Sequence, residues 1–128
     1  MRKFRPVLSA AAIAVAAALT LGWGASAASA HDELVLANPS ISKVLKVAPK
    51  AVTLTFDDSV TDVAGANQIV VIDPKGHHLE TGGTKVSVNA MSTKLIASKL
   101  LGKFKVLYRV LSADGHPVTG FYYFYVRK

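Results

Sequence analysis

The sequence predicts an all-β domain, a Greek-key β-sandwich or barrel of immunoglobulin-like type with about seven short strands. Short apolar runs recur between residues 34 and 127, and turn residues such as Asp73-Pro74-Lys75-Gly76 separate them. Residues 104–110 are apolar at every second position, which is the period of a strand with one buried face. No segment has a convincing helical period beyond one turn near residues 41–47.

The predicted strands follow one another at short intervals along the chain. In order, they are residues 34–37, 52–56, 68–72, 85–88, 94–97, 104–110 and 121–127. Residues 52–56 alternate apolar side chains with Thr, whereas residues 68–72 are almost continuously apolar and are expected to be more deeply buried. The expected turns include Asn38-Pro39, Asp57-Asp58-Ser59, Thr81-Gly82-Gly83-Thr84 and the loop 112–120. Aromatic residues on both faces of the last strand favour a strand covered on both sides or an aromatic-rich end of the domain.

Residues 1–30 have the layout of a secretory signal peptide. A basic start precedes an uncharged, Ala- and Leu-rich stretch at residues 7–24, and small residues fill positions 25–30. An uncleaved membrane anchor is the alternative, because the stretch is near the lower end of spanning length, roughly 17–25 residues. The small residues favour cleavage, after either Ala27 or Ala30. The sequence therefore predicts a signal peptide at residues 1–30 and one domain at residues 31–128, in the periplasm or secreted.

Composition limits what the domain can do. Three of the fifteen basic residues lie in residues 1–30, so the remaining 98 residues carry twelve basic and eight acidic side chains, a net charge of +4. The basic residues are scattered and no run of them interleaves with aromatics, so we expect a solvated surface and no nucleic-acid partner. The chain has no Cys, which excludes thiolate metal sites, iron–sulfur clusters and cysteine nucleophiles. A monomer is expected.

Two histidines offer metal-binding chemistry. The cut after Ala30 would make His31 the first mature residue, whose α-amine and Nδ1 close a six-membered chelate ring on a metal. Downstream, Asp114-Gly115-His116 offers a carboxylate and a second imidazole, and Gly115 lets the chain bend so that they converge. Cu(II) favours tetragonal sets of such N and O donors. Taken alone, His31 is equally explained as a solvated terminal histidine, and Asp114-Gly115-His116 as an ordinary β-turn.

From residue 31 onwards the chain resembles the CopC family of periplasmic copper-resistance and copper-handling proteins. The resemblance lies in three segments, His31-Asp32-Glu33-Leu34-Val35, Val52-Thr53-Leu54-Thr55-Phe56 and Asp114-Gly115-His116-Pro117-Val118-Thr119-Gly120. Asn38-Pro39 also stands where the family has a Ser-Pro or Thr-Pro break. The resemblance covers essentially all of residues 31–128, and the motifs at its two ends are more specific than those in its middle.

The resemblance implies a small β-barrel or sandwich that binds one Cu(II) per chain through the N-terminal amine and imidazole, an Asp and a second His. By motif, these ligands are His31, Asp114 and His116. A family acid that lies close to the copper site corresponds to Asp58, which is shorter than the usual Glu and is equally well explained as a turn residue. The family often acts beside a CopD-type inner-membrane protein, which the resemblance implies as a partner.

Some family members also hold Cu(I) in a Met-rich loop, because soft thioethers select that ion. The corresponding residues 73–80 contain no Met, so we expect no Cu(I) site. His77-His78 remain there as an adjacent pair. Neighbouring residues of an extended segment point in opposite directions, which favours an exposed polar turn over an auxiliary metal contact.

The function expected from the sequence is that of an exported Cu(II) carrier or buffer for copper resistance or homeostasis, and not that of an enzyme. No nucleophile–base pair and no Gly-rich phosphate loop occurs in the sequence. Two alternatives remain open at this stage. One is a copper oxidase of the lytic polysaccharide monooxygenase type, which also uses an N-terminal His. The other is a metal-free immunoglobulin-like interaction module.

Cleavage between Ala30 and His31 is the first testable prediction, because the small residues Ala28-Ser29-Ala30 precede that bond. The intact mass of the exported protein, together with N-terminal sequencing, measures the mature start. A mature chain that begins at Ala28 would place three residues ahead of His31 and remove the chelate.

Overall fold

The computed structural model describes residues 32–128, so the predicted signal peptide and His31 lie outside the described residues. The described part contains eight strands and no helix, arranged as two four-stranded sheets that share one apolar core. The predicted all-β sandwich is thereby confirmed, and the two sheets remain separate instead of closing into one barrel. Within residues 32–128, no helix is long and apolar enough to cross a membrane.

The strands in chain order are β1 (Leu34–Asn38), β2 (Val44–Leu45), β3 (Ala51–Phe56), β4 (Gln68–Ile72), β5 (Glu80–Ser87), β6 (Ala90–Leu95), β7 (Gly102–Leu111) and β8 (Pro117–Val126). The first sheet has the order β1-β3-β6-β5 and the second has the order β2-β8-β7-β4. All pairings are antiparallel except that of β2 with β8. The longest pairing joins β7 to β8 and matches Gly102 with Val126 at one end and Leu111 with Pro117 at the other.

Most of the core consists of the alternate side chains that β3, β4, β6, β7 and β8 direct between the sheets. Phe104 and Phe124 are cross-strand partners on the inner face of the second sheet, and their rings stack with centroids 5.1 Å apart. Phe56 of the first sheet meets Tyr108 of the second sheet edge-on, with ring centroids 5.8 Å apart. Burial of these large rings stabilises the fold, and no disulfide contributes to its stability.

Three local predictions were wrong, each for a physical reason. Residues 81–84 do not form a turn, because Gly82 and Gly83 adopt positive φ inside β5 and take up an irregularity in its pairing with β6. Residues 41–47 include the short strand β2, since its two residues pair with the end of β8. The last strand begins at Pro117 instead of residue 121, so the loop before it is only residues 112–116.

The two faces of β8 should differ sharply in their contribution to stability. Phe124 is fully buried, so Phe124→Ala should lower the free energy of unfolding by about 3–5 kcal/mol through lost burial and a cavity. Phe121, on the outer face of the same strand, is 60% exposed, so Phe121→Ala should cost less than about 1 kcal/mol. Urea unfolding measures both values, and equal losses would contradict the assignment of faces.

Candidate metal centre

The loop 112–116 between β7 and β8 is a compact turn held by its own backbone. The Ser112 amide donates to the His116 carbonyl at 2.9 Å, and the Gly115 amide donates to the Ser112 carbonyl at 2.9 Å. Gly115 has φ +84°, a left-handed conformation that glycine adopts without a steric cost. Thr61 Oγ1 donates to the Ser112 carbonyl at 2.8 Å, which fastens the start of the loop to the segment after β3.

Asp114 and His116 lie together in this loop. Oδ2 of Asp114 lies 3.0 Å from Nδ1 of His116, and Oδ1 of Asp114 accepts a hydrogen bond from the His116 amide at 3.1 Å. The buried Ser112 hydroxyl donates to Asp114 Oδ1, and its oxygen also lies 2.8 Å from the His116 carbonyl oxygen. The His116 side chain is 67% exposed, so the imidazole is held at its Nδ1 side while the ring faces solvent.

The electrostatics of this pair favour a permanent negative charge on Asp114. The hydrogen bond from the Ser112 hydroxyl holds the pKa of Asp114 well below its usual range. The amide and ring of His116 act in the same direction, whereas desolvation of the carboxylate opposes them. A carboxylate fixed beside an imidazole in this way also sets the orientation of the ring.

The start of the described chain reaches the same loop. Asp32 is only 2% exposed, and its Oδ1 accepts a hydrogen bond from the Ala113 amide at 3.3 Å. The Asp57 amide donates to the Glu33 carbonyl at 2.9 Å and so continues the β1–β3 pairing, while the Glu33 amide donates to the Asp57 carboxylate at 2.7 Å. The first described residues are therefore fixed against both β3 and the loop that carries Asp114.

Asp32 gives this end of the sandwich a concentrated negative charge. Its Oδ2 is buried and has no hydrogen-bond partner among residues 32–128. Burial raises the pKa of Asp32 and the Ala113 hydrogen bond opposes this, while the charges of Asp58, Asp57 and Asp114 raise the pKa further. Asp57, Asp58 and Asp114 are thus close enough to act on Asp32, so a cation placed near Asp32 would be stabilised.

The structure thus brings together two of the three predicted ligands, Asp114 and His116, whereas His31 lies outside the described residues. Asp58 is exposed, and its side chain accepts a hydrogen bond from the adjacent Ser59 amide at 2.7 Å, as a turn residue does. Within residues 32–128, no group of three or more His, Cys, Asp or Glu is arranged to hold a metal ion.

Sequence reasoning missed two residues that shape this centre, Asp32 and Ser112. Asp32 directly follows the predicted first ligand, and Ser112 precedes Asp114 by two positions. Both positions can be read from the sequence, but neither indicates that the side chain is buried. The buried positions arise only because the chain start and the β7–β8 loop meet.

His77 and His78 lie elsewhere, in the turn between β4 and β5. Nδ1 of His77 is 3.1 Å from Asp73 Oδ2, and Nδ1 of His78 is 2.8 Å from Glu80 Oε1. Burial alone would raise the pKa of Asp73. Hydrogen bonds from the amide and ring of His77 and from the Lys75 amide outweigh burial and lower this pKa. Each histidine is thus paired with its own carboxylate.

The strand register places that turn far from the candidate metal centre. Ile72 pairs with Lys105 near the start of β7, whereas the loop 112–116 follows the end of β7. Six residues of an extended strand span on the order of 20 Å. The two groups of histidines therefore lie at opposite ends of the second sheet.

This two-sheet sandwich, with a carboxylate–imidazole pair in an end loop, defines a small β-domain with a candidate metal centre. Comparison of the chain with known protein families identifies the class to which it belongs. The CopC domain matches residues 34–127, and the chain belongs to the CopC family.

Two curated relatives and two solved structures are similar to the chain. It is 29% identical over 102 residues to the copper transport protein CutJ of Bacillus subtilis, covering 77% of this chain but only 18% of CutJ, so it spans less than a fifth of that protein. It is also 29% identical over 102 residues to protein YobA of Escherichia coli, covering 77% of this chain and 80% of YobA.

Among solved structures, CopC from Methylosinus trichosporium OB3b is 31% identical with a TM-score of 0.66, covering 75% of this chain and 93% of that one. PcoC, a methionine-rich copper resistance protein from Escherichia coli, is 21% identical with a TM-score of 0.61, covering 77% of this chain and all of PcoC. The PcoC comparison supports the fold alone.

Removal of the Ser112 hydroxyl should raise the pKa of Asp114 in the metal-free protein. The low pKa of Asp114 contributes stability above its unfolded pKa, roughly 3.9, and that contribution is lost as pH falls toward the folded pKa. Ser112→Ala should therefore reduce the difference in stability between neutral and acidic pH. Carboxyl carbon NMR titration and urea unfolding measure the two effects, and Ser87→Ala in β5 is the matched control. An unchanged Asp114 titration would contradict the assigned role of Ser112.

Proposed function

We propose that this chain is an exported Cu(II)-binding protein that carries or buffers copper for resistance or homeostasis. The proposed ligands are the α-amine and imidazole of His31 together with Asp114 and His116, one Cu(II) being bound per chain. CopC-family membership and the similarity to CutJ, a copper transport protein, support copper as the ligand.

The observation that carries the proposal is the hydrogen bond between Asp32 and Ala113. Asp32 is bonded to His31, and Ala113 is bonded to Asp114. Because consecutive Cα atoms are only about 3.8 Å apart, this contact of Asp32 supports the proposal that the residue before it lies within reach of the loop that carries the other ligands. Residues that are more than 80 positions apart in sequence thereby meet at one end of the sandwich.

The Asp114–His116 pair has the chemistry of a metal-binding histidine. Such a histidine commonly donates one ring N–H to a carboxylate while the other nitrogen binds the metal, and the carboxylate makes the ring more basic. Asp114 engages Nδ1, so Nε2 is the nitrogen that we propose as the ligand atom of His116. Asp114 either supplies an oxygen donor itself or acts through the ring that it orients.

The surrounding charge supports a divalent cation. The charges of Asp57, Asp58 and Asp114 act on Asp32, and a metal ion placed nearby would lower this repulsion. The buried oxygen of Asp32 that has no partner within the described part of the chain is one group that a nearby cation or its bound water would stabilise.

The chemical types of the proposed ligands favour one metal ion over others. Amine, imidazole and carboxylate donors in a plane suit Cu(II), which also exceeds Zn(II) in the order of affinities. We propose that Cu(I) is held poorly, since the chain has no Cys and Met91, the sole Met in residues 31–128, is buried in the core. Reduction would then favour release, which suits a carrier.

The cellular setting is part of the same proposal. The signal-like residues 1–30 support export to the periplasm or the exterior, where a monomer would hold copper. Transfer to or from a CopD-type membrane protein would follow from the family resemblance. We propose carriage and no catalysis, and release of oxidised sugars in the presence of a reductant would instead favour the oxidase alternative.

Copper titration of mature variants tests the proposed site. His116→Ala should weaken Cu(II) binding by at least about 100-fold, because it removes a ligand and not only an outer partner. Asp114→Asn should weaken binding by about 10–100-fold, the range expected when a carboxylate that orients a ligand is lost. Competition with a chelator of known affinity measures both values, and electron paramagnetic resonance should detect nitrogen coupling.

His77→Ala is the matched control, because that ring is also paired with a carboxylate but lies at the other end of the sheet. Its copper affinity should equal that of the unsubstituted protein. A second control carries one extra residue ahead of His31, which blocks the chelate and should weaken binding. Binding that depends on His77 and not on His116 would relocate the site to the β4–β5 turn.

A further inference from the structure

The outer face of the second sheet carries positive charge without any carboxylate in its strands. The four strands β2, β4, β7 and β8 contain no Asp and no Glu, whereas Lys103, Lys105 and Arg109 all project outward from β7. Asp73, which follows β4, is buried and accepts hydrogen bonds within its own turn. We call the outward side chains of β4, β7 and β8, together with Arg127, the basic face.

Aromatic rings hold the charges of the basic face in place. Lys103 Nζ lies 4.7 Å from the centre of the Tyr123 ring, and Lys105 Nζ lies 4.7 Å from the centre of the Phe121 ring. The Arg127 guanidinium lies 5.1 Å from the centre of the Tyr125 ring. Contacts of this kind restrict the long side chains and leave the charge accessible, so the face presents cations at defined positions.

A groove of about 660 Å³ runs across the same face. Its apolar walls come from Val70, Leu107 and Phe121, and its polar groups come from Gln68, Arg109 and Thr119. Phe121 is 60% exposed, although large aromatic side chains are usually covered. The groove therefore offers an apolar slot for a side chain beside a guanidinium that can bind a carboxylate.

The groove lies close to the candidate metal centre. Arg109 pairs with Thr119, and only two further residue pairs separate them from the loop 112–116. Ser112, the first residue of this loop, is three residues beyond Arg109, which corresponds to about 10 Å along the strand. A molecule that occupies the groove would thus lie roughly 10 Å from the loop that carries Asp114 and His116.

We propose that the basic face is a docking surface for an acidic segment of a partner protein that also carries an aromatic or large apolar side chain. The carboxylates of the segment would meet Lys103, Lys105 and Arg109, and its apolar side chain would enter the groove beside Phe121. The use of this surface to pass copper rests on the proposed function, whereas docking itself rests on the face alone.

The shape of the face favours a peptide over a lipid surface. A bilayer is broad and flat, so it is bound best by protruding apolar side chains and by lysines that are free to spread. Here the apolar residues line a concave groove, and the lysines are held over rings. Fixed charges around a slot are complementary to a chain with its own fixed sequence.

The test uses the mature chain and a short synthetic peptide that alternates Glu with Phe. Calorimetry should give a Kd that rises with salt, and amide NMR shifts should be confined to β7, β8 and β4. A peptide with Lys in place of Glu should not bind. Lys103→Glu together with Lys105→Glu should weaken binding by at least about tenfold, which corresponds to about 1.4 kcal/mol.

The matched control reverses two lysines on the other sheet. Lys85→Glu together with Lys94→Glu makes the same change of net charge at exposed positions of β5 and β6 and should leave peptide binding unchanged. Arg109→Gln removes one charge from the groove with less disturbance and should also weaken binding. Circular dichroism establishes that each variant is folded.

Equal loss in both double variants, or no binding of the peptide at all, would overturn the proposal. Binding to phosphatidylglycerol vesicles but not to the peptide would overturn it in favour of a membrane surface. Copper titration of the same variants should give an unchanged affinity, because none of these lysines belongs to the proposed copper site. If the unsubstituted chain binds the peptide but no Cu(II), copper carriage fails and the docking surface stands.

Discussion

The antiparallel pairing of β7 with β8 is the constraint on which the rest of the structure depends. Its register sends Phe104 and Phe124 into the core and leaves only residues 112–116 to turn the chain. The same register places Lys105 over the Phe121 ring on the opposite side of the sheet. A shift of one residue would exchange the two faces completely. One pairing therefore fixes the core, the candidate metal centre and the basic face together.

At the end of the sandwich near this loop, one carboxylate is well hydrogen-bonded and another is not. Ser112 and the amide of His116 satisfy Asp114, but Asp32 keeps a buried oxygen without a partner among residues 32–128. Leaving such a group unpaired typically costs about 1–3 kcal/mol. Buried polar groups without a partner are characteristic of places where a ligand or an ordered water completes the structure.

Much of the fold could be predicted because alternation reports directly on a sheet with one buried face. Residues 68–72 form β4 as expected, and the alternation at residues 104–110 lies within β7. The pairing of Asp114 with His116 could also be predicted, since two residues separated by glycine lie within reach of each other. By contrast, Gly82 and Gly83 read equally well as a turn or as an irregular strand, and only the pairing with β6 decides between them. The burial of Asp32 depends on a contact with Ala113, which no local pattern encodes.

The aromatic residues of β8 show why surfaces are harder to predict than cores. Their presence on both faces favoured a strand covered on both sides or an aromatic-rich end of the domain. In the structure Phe121 is exposed, and lysines from β7 lie over the outer rings. No run of basic and aromatic residues reveals this arrangement, because the two kinds of residue lie on different strands. The result is a basic face whose nearest charge, Arg109, lies about 10 Å along the strand from the acidic end, which is beyond the Debye length of roughly 8 Å at physiological salt, so the two surfaces act largely independently.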